Sequence, residues 1–304
     1  GVHLFRAIER DGGDAVGHVI TDLGEVGHGV FQMTSNHAAM AGEIPWLLQM
    51  ARHNKLPVMF NLQQTDPAPD LWKDILKTLD QAREENVPLY AGICGRPVGL
   101  LFSFQSSLHP FIAHPTYQSI ANLPFEQRVQ KLKDPAIRQK ILTEQRDLVD
   151  RRAETLFGSF HKMYKMAERP DYEPSPDQSI AAISQRTGKP GLEIVYDMML
   201  ENEGRSIIYY PSFNYSYENL DHVHQLMQHE NTVNSLSDGG AHCNYICDVS
   251  LPTFMLTHWV QGRTRGAKLP LEHIDLTYSV EIGGVELQGD NTVLMPELSY
   301  RSEE

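Results

Sequence analysis

At 304 residues, with 41% apolar and 21% charged residues, the chain can bury a sizeable core as one large or two smaller domains. Its formal net charge of −13 argues against nucleic acid or an anionic membrane as partner, since neither is drawn to an acidic surface. Three cysteines, Cys94, Cys243 and Cys247, are too few and too clustered for a disulfide framework and point to a reducing, cytoplasmic compartment. No apolar run reaches the length of a membrane span, and Arg6, Glu9, Arg10 and Asp11 interrupt any signal-peptide pattern.

Residues 1–27 are weakly patterned, with a turn at Gly12-Gly13. Residues 30–34, Val-Phe-Gln-Met-Thr, predict a buried strand. Residues 43–52 predict a helix with Pro45 in its first turn, where the missing N–H costs nothing. Residues 57–62 predict the next strand. Residues 71–85 predict an amphipathic helix with Leu71, Ile75, Leu76 and Leu79 on one face, and residues 87–94 a third strand. Strand and helix alternating over short connections is the pattern of a parallel α/β architecture.

Residues 95–101, Gly-Arg-Pro-Val-Gly-Leu-Leu, follow a strand end and predict a loop on the functional face. Arg96 is either a surface charge or a planar clamp for a substrate carboxylate. His109 and His114, each beside a proline, are candidates of second rank behind structural roles. Residues 134–156 predict one largely solvated helix, and residues 170–176 an extended, proline-rich connector. Helices are expected from residue 177 and over 192–200, then a strand over 206–211. Asp221-His222-Val223-His224 resembles a metal-ligand pair only on a strand. Leu220, Val223, Leu226 and Met227 mark the buried face of a helix, on which residues two apart diverge, so a metal pair is rejected.

Residues 231–260 are the most informative. A strand-like alternation over 232–236 breaks into Ser237-Asp238-Gly239-Gly240-Ala241-His242. The glycines let the backbone approach a ligand closely. A carboxylate at a strand end before such a turn is how a barrel enzyme presents a catalytic group, although spacing alone favours a capped polar turn. The words S-D-G-G-A-H, I-C-D-V-S-L-P-T and L-T-H-W-V, with C-G-R-P-V-G-L-L, S-L-H-P-F, H-P-T-Y and I-A-N-L-P-F-E-Q-R-V earlier, resemble the D-aminoacylase-like branch of the amidohydrolase superfamily.

The resemblance implies a (β/α) TIM-type barrel over residues 1–275 and a β-rich segment over 276–304. That segment holds a hairpin over 277–301, part of a small sandwich domain. It implies metal-assisted hydrolysis of an amide (non-peptide C–N) bond of an N-acyl amino acid or related small molecule, with zinc as cofactor. Asp238 would bind metal and transfer protons, and His242 would orient it or polarise the carbonyl. Substrate binding is expected from Arg96, Asn61, Gln63 and His109. Self-association into a homo-oligomer stays open.

The chain also departs from that pattern. Five candidate strands, ending near Met33, Leu62, Cys94, Pro211 and Ser237, fall short of the eight of a closed barrel. The expected reading is therefore an incomplete barrel belonging to a longer chain. The early His-x-His strand and the cysteine ligand of the family have no counterpart. Where histidine ligands end two strands of the family, this chain has Phe31-Gln32-Met33-Thr34-Ser35 and Phe60-Asn61-Leu62-Gln63-Gln64. Amides are poor zinc ligands, which motivates the alternative of a metal-free barrel acting as a binding or assembly subunit.

Overall fold

The structure, a computed structural model, describes residues 29–147, 151–234, 246 and 250–278, without the side chains of 151–154 and 275–278. The Gly12-Gly13 turn, Asp238, His242, Cys243, Cys247 and the segment from residue 279 onward lie outside the described residues. The fold is mixed α/β and contains a parallel sheet.

The described residues divide into two compact units. The first begins with β1 (Phe31–Met33), the helix Ile44–Asn54, β2 (Val58–Leu62), the helix Leu71–Glu84 and β3 (Leu89–Ile93). The second, Arg96–Leu220 together with Ile246 and Ser250, is inserted next in the chain and carries β4 (Gly99–Phe102), β5 (Tyr164–Lys165) and β6 (Ile208–Pro211). The first unit resumes with the helix Asp221–Met227 and β7 (Thr232–Asn234).

In the first unit the sheet order is β1-β2-β3-β7, parallel throughout. The register places Phe60, Leu62, Ala91, Ile93, Thr232 and Asn234 on one face, all buried. The other face carries Gln32, Met59, Asn61, Tyr90 and Val233, and three of these, Gln32, Asn61 and Tyr90, keep contact with solvent. The crossover helices explain the buried face. Ile44, Leu47, Met50 and Ala51 are buried on the first, and Trp72, Ile75, Leu79 and Ala82 on the second, both at helical spacing. The first helix stops at Lys55, whose left-handed φ of 53° ends it, with Lys55 N–H donating to Ala51 O.

One polar side chain pins the far strand. Asn231 Nδ2 donates to Leu89 O at 3.0 Å, and Ala91 N–H donates to Asn231 O at 2.9 Å. Further on, Leu251–Phe254 leads into a π-helix over Met255–Gly262, a wider winding than the α-helix. Trp259 Nε1 donates to Gly95 O at 2.6 Å, and the buried Arg263 guanidinium stacks on Trp259 while donating to Asp221 at 2.7 Å. Residues 271–278 are helical, so the expected hairpin does not begin at Thr277.

The inserted unit corrects three expectations. The strand ending at Pro211 is not a neighbour of the parallel strands. β6 pairs antiparallel with β4 and with β5. Residues 99–102 are therefore a strand, not a loop. Gly99 conceals this because the Tyr209 ring fills the place of its missing side chain, with Cε2 only 2.2 Å from where a Cβ would stand. The expected helix over 134–156 is interrupted. Pro135–Thr143 closes at Glu144, which is extended, and Arg151–Gly158 forms a separate helix. The core of this unit gathers Phe102, Phe104, Phe111, Tyr196, Met199 and Ile208, and Tyr196 satisfies its hydroxyl by donating to Leu132 O at 2.8 Å.

The helix Gly191–Gly204 breaks near its end, where Asn202, Glu203 and Gly204 all take positive φ. Gly204 adopts φ 78°, and an added Cβ would stand 2.6 Å from Val129 Cγ2. Gly204→Ala should therefore lower stability by at least ~1 kcal/mol, the lower end of what a left-handed L-residue costs. Asn202→Gly, at a position already left-handed, should not lower it comparably. Urea unfolding of the two variants beside wild type measures both.

Candidate functional site

The carboxyl ends of parallel strands are where α/β proteins bind ligands. In the first unit β1 and β2 are tied together there. Ser35 N–H and Oγ both donate to Asn61 Oδ1, at 2.6 and 3.3 Å, and Ser35 Oγ also donates to Asn61 O at 2.6 Å. The acceptor end of the Asn61 carboxamide thus serves the scaffold, which narrows its expected role toward substrate. Gln63, the next polar residue on that connection, has its Oε1 buried and without a hydrogen-bond partner. Gln64, buried beside it, donates to Pro69 O at 3.2 Å.

Two further groups at this end carried no functional signal in the sequence. Asn234, the last residue of β7, is 4% exposed, and neither Oδ1 nor Nδ2 has a hydrogen-bond partner. Trp72, in the first turn of its helix, is likewise buried with Nε1 unpartnered, and its ring lies 6.0 Å from that of His222. His222 and His224 are on a helix, as expected. His222 is buried, while His224 lies 3.2 Å from Lys268 O. At the opposite, amino ends of β3 and β7, a cavity of about 590 Å³ is lined by Arg83, Tyr90, Glu230 and Asn231, but Arg83 and Glu230 pair with each other.

In the inserted unit Arg96 is 1% exposed rather than a surface charge. Its guanidinium lies 4.2 Å over the Tyr172 ring and donates to Ser250 Oγ at 3.0 Å. Asn214 Nδ2 donates to its carbonyl at 3.4 Å. Stacking and bonding fix the planar fork in one orientation.

His109, expected at the substrate, is instead a packed core residue with no exposed surface, set among Phe104, Phe111 and Tyr117. Phe111 N–H donates to its Nδ1 at 3.2 Å, so the proton resides on Nε2. The Tyr117 ring stands edge-on at 4.7 Å. Burial, with Arg128 and His114 nearby, pushes its pKa down to about 3. His114 is buried with Nδ1 4.0 Å from Glu144, a carboxylate that accepts from Thr116 N–H and Oγ1 at 2.8 and 2.6 Å.

Among the described residues no three His, Cys, Asp or Glu side chains gather closely enough to hold a metal ion. The strand ends that would carry histidine ligands present Gln32, which is exposed, and Asn61, whose oxygen is engaged by Ser35. These residues do not fit a zinc site. Asp238 and His242 fall outside the described residues. No protein-family model, curated protein or solved structure matches the chain. No helix of the described residues is long and apolar enough to cross a membrane.

The depressed pKa of His109 carries a pH signature. Above its ordinary value of 6.5 the imidazole is neutral in both states. As pH falls from 6.5 toward about 3, the unfolded chain binds a proton that the folded state refuses, so stability is lost. Between pH 7 and pH 5 wild type should lose about 2 kcal/mol more than His109→Phe loses over the same interval. Urea unfolding of both proteins at the two pH values gives this difference directly, and equal losses would show that His109 titrates normally.

Proposed function

We propose that the chain hydrolyses a non-peptide amide bond, on the pattern of the D-aminoacylase-like amidohydrolases, with its parallel sheet as part of a (β/α) barrel. The observation that carries the reading is the strand order. β1, β2, β3 and β7 lie side by side in chain order with no reversal. A doubly wound sheet reverses its order at a switch point, whereas a barrel progresses in one direction. Right-handed crossovers then place both connecting helices on one face, leaving Gln32, Asn61 and Tyr90 on the other. Asp238 follows the last residue of β7 by four positions in the chain, within the Ser237-Asp238-Gly239-Gly240 motif.

In this reading the substrate is a small N-acyl amino acid or related amide. Water adds to the acyl carbon while the Asp238 carboxylate takes its proton. The tetrahedral adduct then collapses with cleavage of the C–N bond, and the same proton passes to the departing nitrogen. His242, four residues on, orients Asp238 or polarises the carbonyl oxygen. Zinc would polarise that carbonyl in such an enzyme. The described residues do not fit it, and Asp238 is the one residue that would hold it in this reading. A metal-free binding protein is the second reading, favoured by the Ser35–Asn61 tie at a strand end where a ligand histidine was expected.

Asp238→Asn keeps the size of the side chain and removes its charge and basicity. Steady-state turnover of N-acyl amino acids should fall at least ~100-fold, the lower end of a positioned acid–base contribution, with thermal stability nearly unchanged. Wild-type turnover in the variant would remove the catalytic assignment. Metal analysis of the purified protein separates the readings further: bound zinc with turnover supports the hydrolase, and neither supports the binding protein.

A further inference from the structure

The carboxamide of Asn234 stands out because Asn231, just ahead of the same strand, shows what a structural asparagine does. Asn231, three residues earlier, spends its Nδ2 on Leu89 O and its carbonyl on Ala91 N–H. Asn234 spends neither side-chain atom on the protein, although it is nine-tenths buried and level in register with the apolar Leu62 and Ile93. Desolvating an amide without returning its hydrogen bonds is among the costliest arrangements a core can hold, and leucine would fill similar space without that cost.

A second orphan comes from a different element. Trp72 Nε1 can only donate, is buried, and meets no acceptor. The Trp72 ring approaches His222, which opens the helix Asp221–Met227. That helix packs on β7 and returns to it through a short connection, so its first turn stands beside the carboxyl end of the strand, where Asn234 sits. A donor–acceptor pair and a lone donor thus belong to one end of one sheet.

We infer that Asn234 and Trp72 form a subsite that recognises the amide group of a bound ligand. The amide oxygen accepts from Asn234 Nδ2 and Trp72 Nε1, and Asn234 Oδ1 accepts from a second donor of the ligand. A carbonyl oxygen able to take two converging N–H donors is the chemistry this set complements. The inference rests on the hydrolase reading for the ligand's identity as an N-acyl amino acid, but not for the complementarity itself.

Two measurements on the full chain test it. In the first, Asn234→Leu should raise KM for N-acyl amino acids tenfold or more, leave kcat within about threefold, and leave ligand-free Tm equal or higher. A KM within twofold of wild type overturns the inference whatever Tm does, since the amide then serves only the fold or a trapped water. In the second, acetamide is titrated into 15N-labelled wild type. The Asn234 side-chain NH2 resonance, assigned by its loss in Asn234→Leu or, if that variant does not fold, in Asn234→Asp, should move and saturate. An unmoved resonance overturns the inference. Wild type that turns over no N-acyl amino acid sinks the hydrolase reading alone, and the acetamide titration still decides this one. Full turnover with an unaffected KM in Asn234→Leu sinks only this one.

Discussion

A parallel strand cannot be reached by a hairpin. Every strand added to the β1-β2-β3-β7 sheet obliges the chain to travel back along the outside before it can pair. The helices Ile44–Asn54 and Leu71–Glu84 make two of these returns, and their apolar stripes bury one face of the sheet as they do so. The third return, from β3 to β7, holds the entire Arg96–Leu220 unit before the helix Asp221–Met227 completes it. The same directional constraint gathers all the carboxyl ends at one edge, so Ser35, Asn61, Gln63 and Asn234 occupy equivalent places on different strands or their exits.

Much of this architecture is legible in the residues. β1, β2, β3 and β7 are short apolar runs bounded by turn residues, and their helices keep a 3.6-residue period. The strand pair β4–β6 was only half legible. Ile208–Pro211 declares itself through β-branched and aromatic residues, but its partner begins with Gly99, which appears flexible until the Tyr209 ring is seen to occupy its missing side chain. Nothing in a linear pattern distinguishes a strand that joins a parallel sheet from one that pairs antiparallel in an inserted unit. That choice is made by hydrogen bonds to residues a hundred positions away. The π-helical winding of Met255–Gly262 is hidden for a similar reason, since its apolar spacing suits an α-helix equally well.

The candidate site divides along another line. Asp238 is visible as a motif because its turn needs particular residues in a particular order. Asn61 was visible as an oddity where histidine was expected, and the structure adds that Ser35 already holds its oxygen. His109 looked like a candidate because histidine often is one. Its ring is instead packed among aromatic neighbours, a condition no count of residue types reveals. Asn234 and Trp72 were silent, because a lack of partners is a property of space and not of spelling.

The ends of the inserted unit have a consequence for folding. Val98 O accepts from Ser212 N–H at 2.9 Å and Phe213 N–H at 3.1 Å, and β4 and β6 pair Gly99 with Pro211. The segment therefore leaves and re-enters within one hydrogen-bonded ribbon. For the parallel sheet, bringing Thr232 beside Ala91 would otherwise mean closing a loop of well over a hundred residues. Once the ribbon forms, the intervening chain shrinks to residues 92–98 and 212–231, and a distant pairing becomes kinetically a nearer one. A cassette built this way can be lengthened, shortened or exchanged in evolution while the sheet that hosts it meets the same two ends.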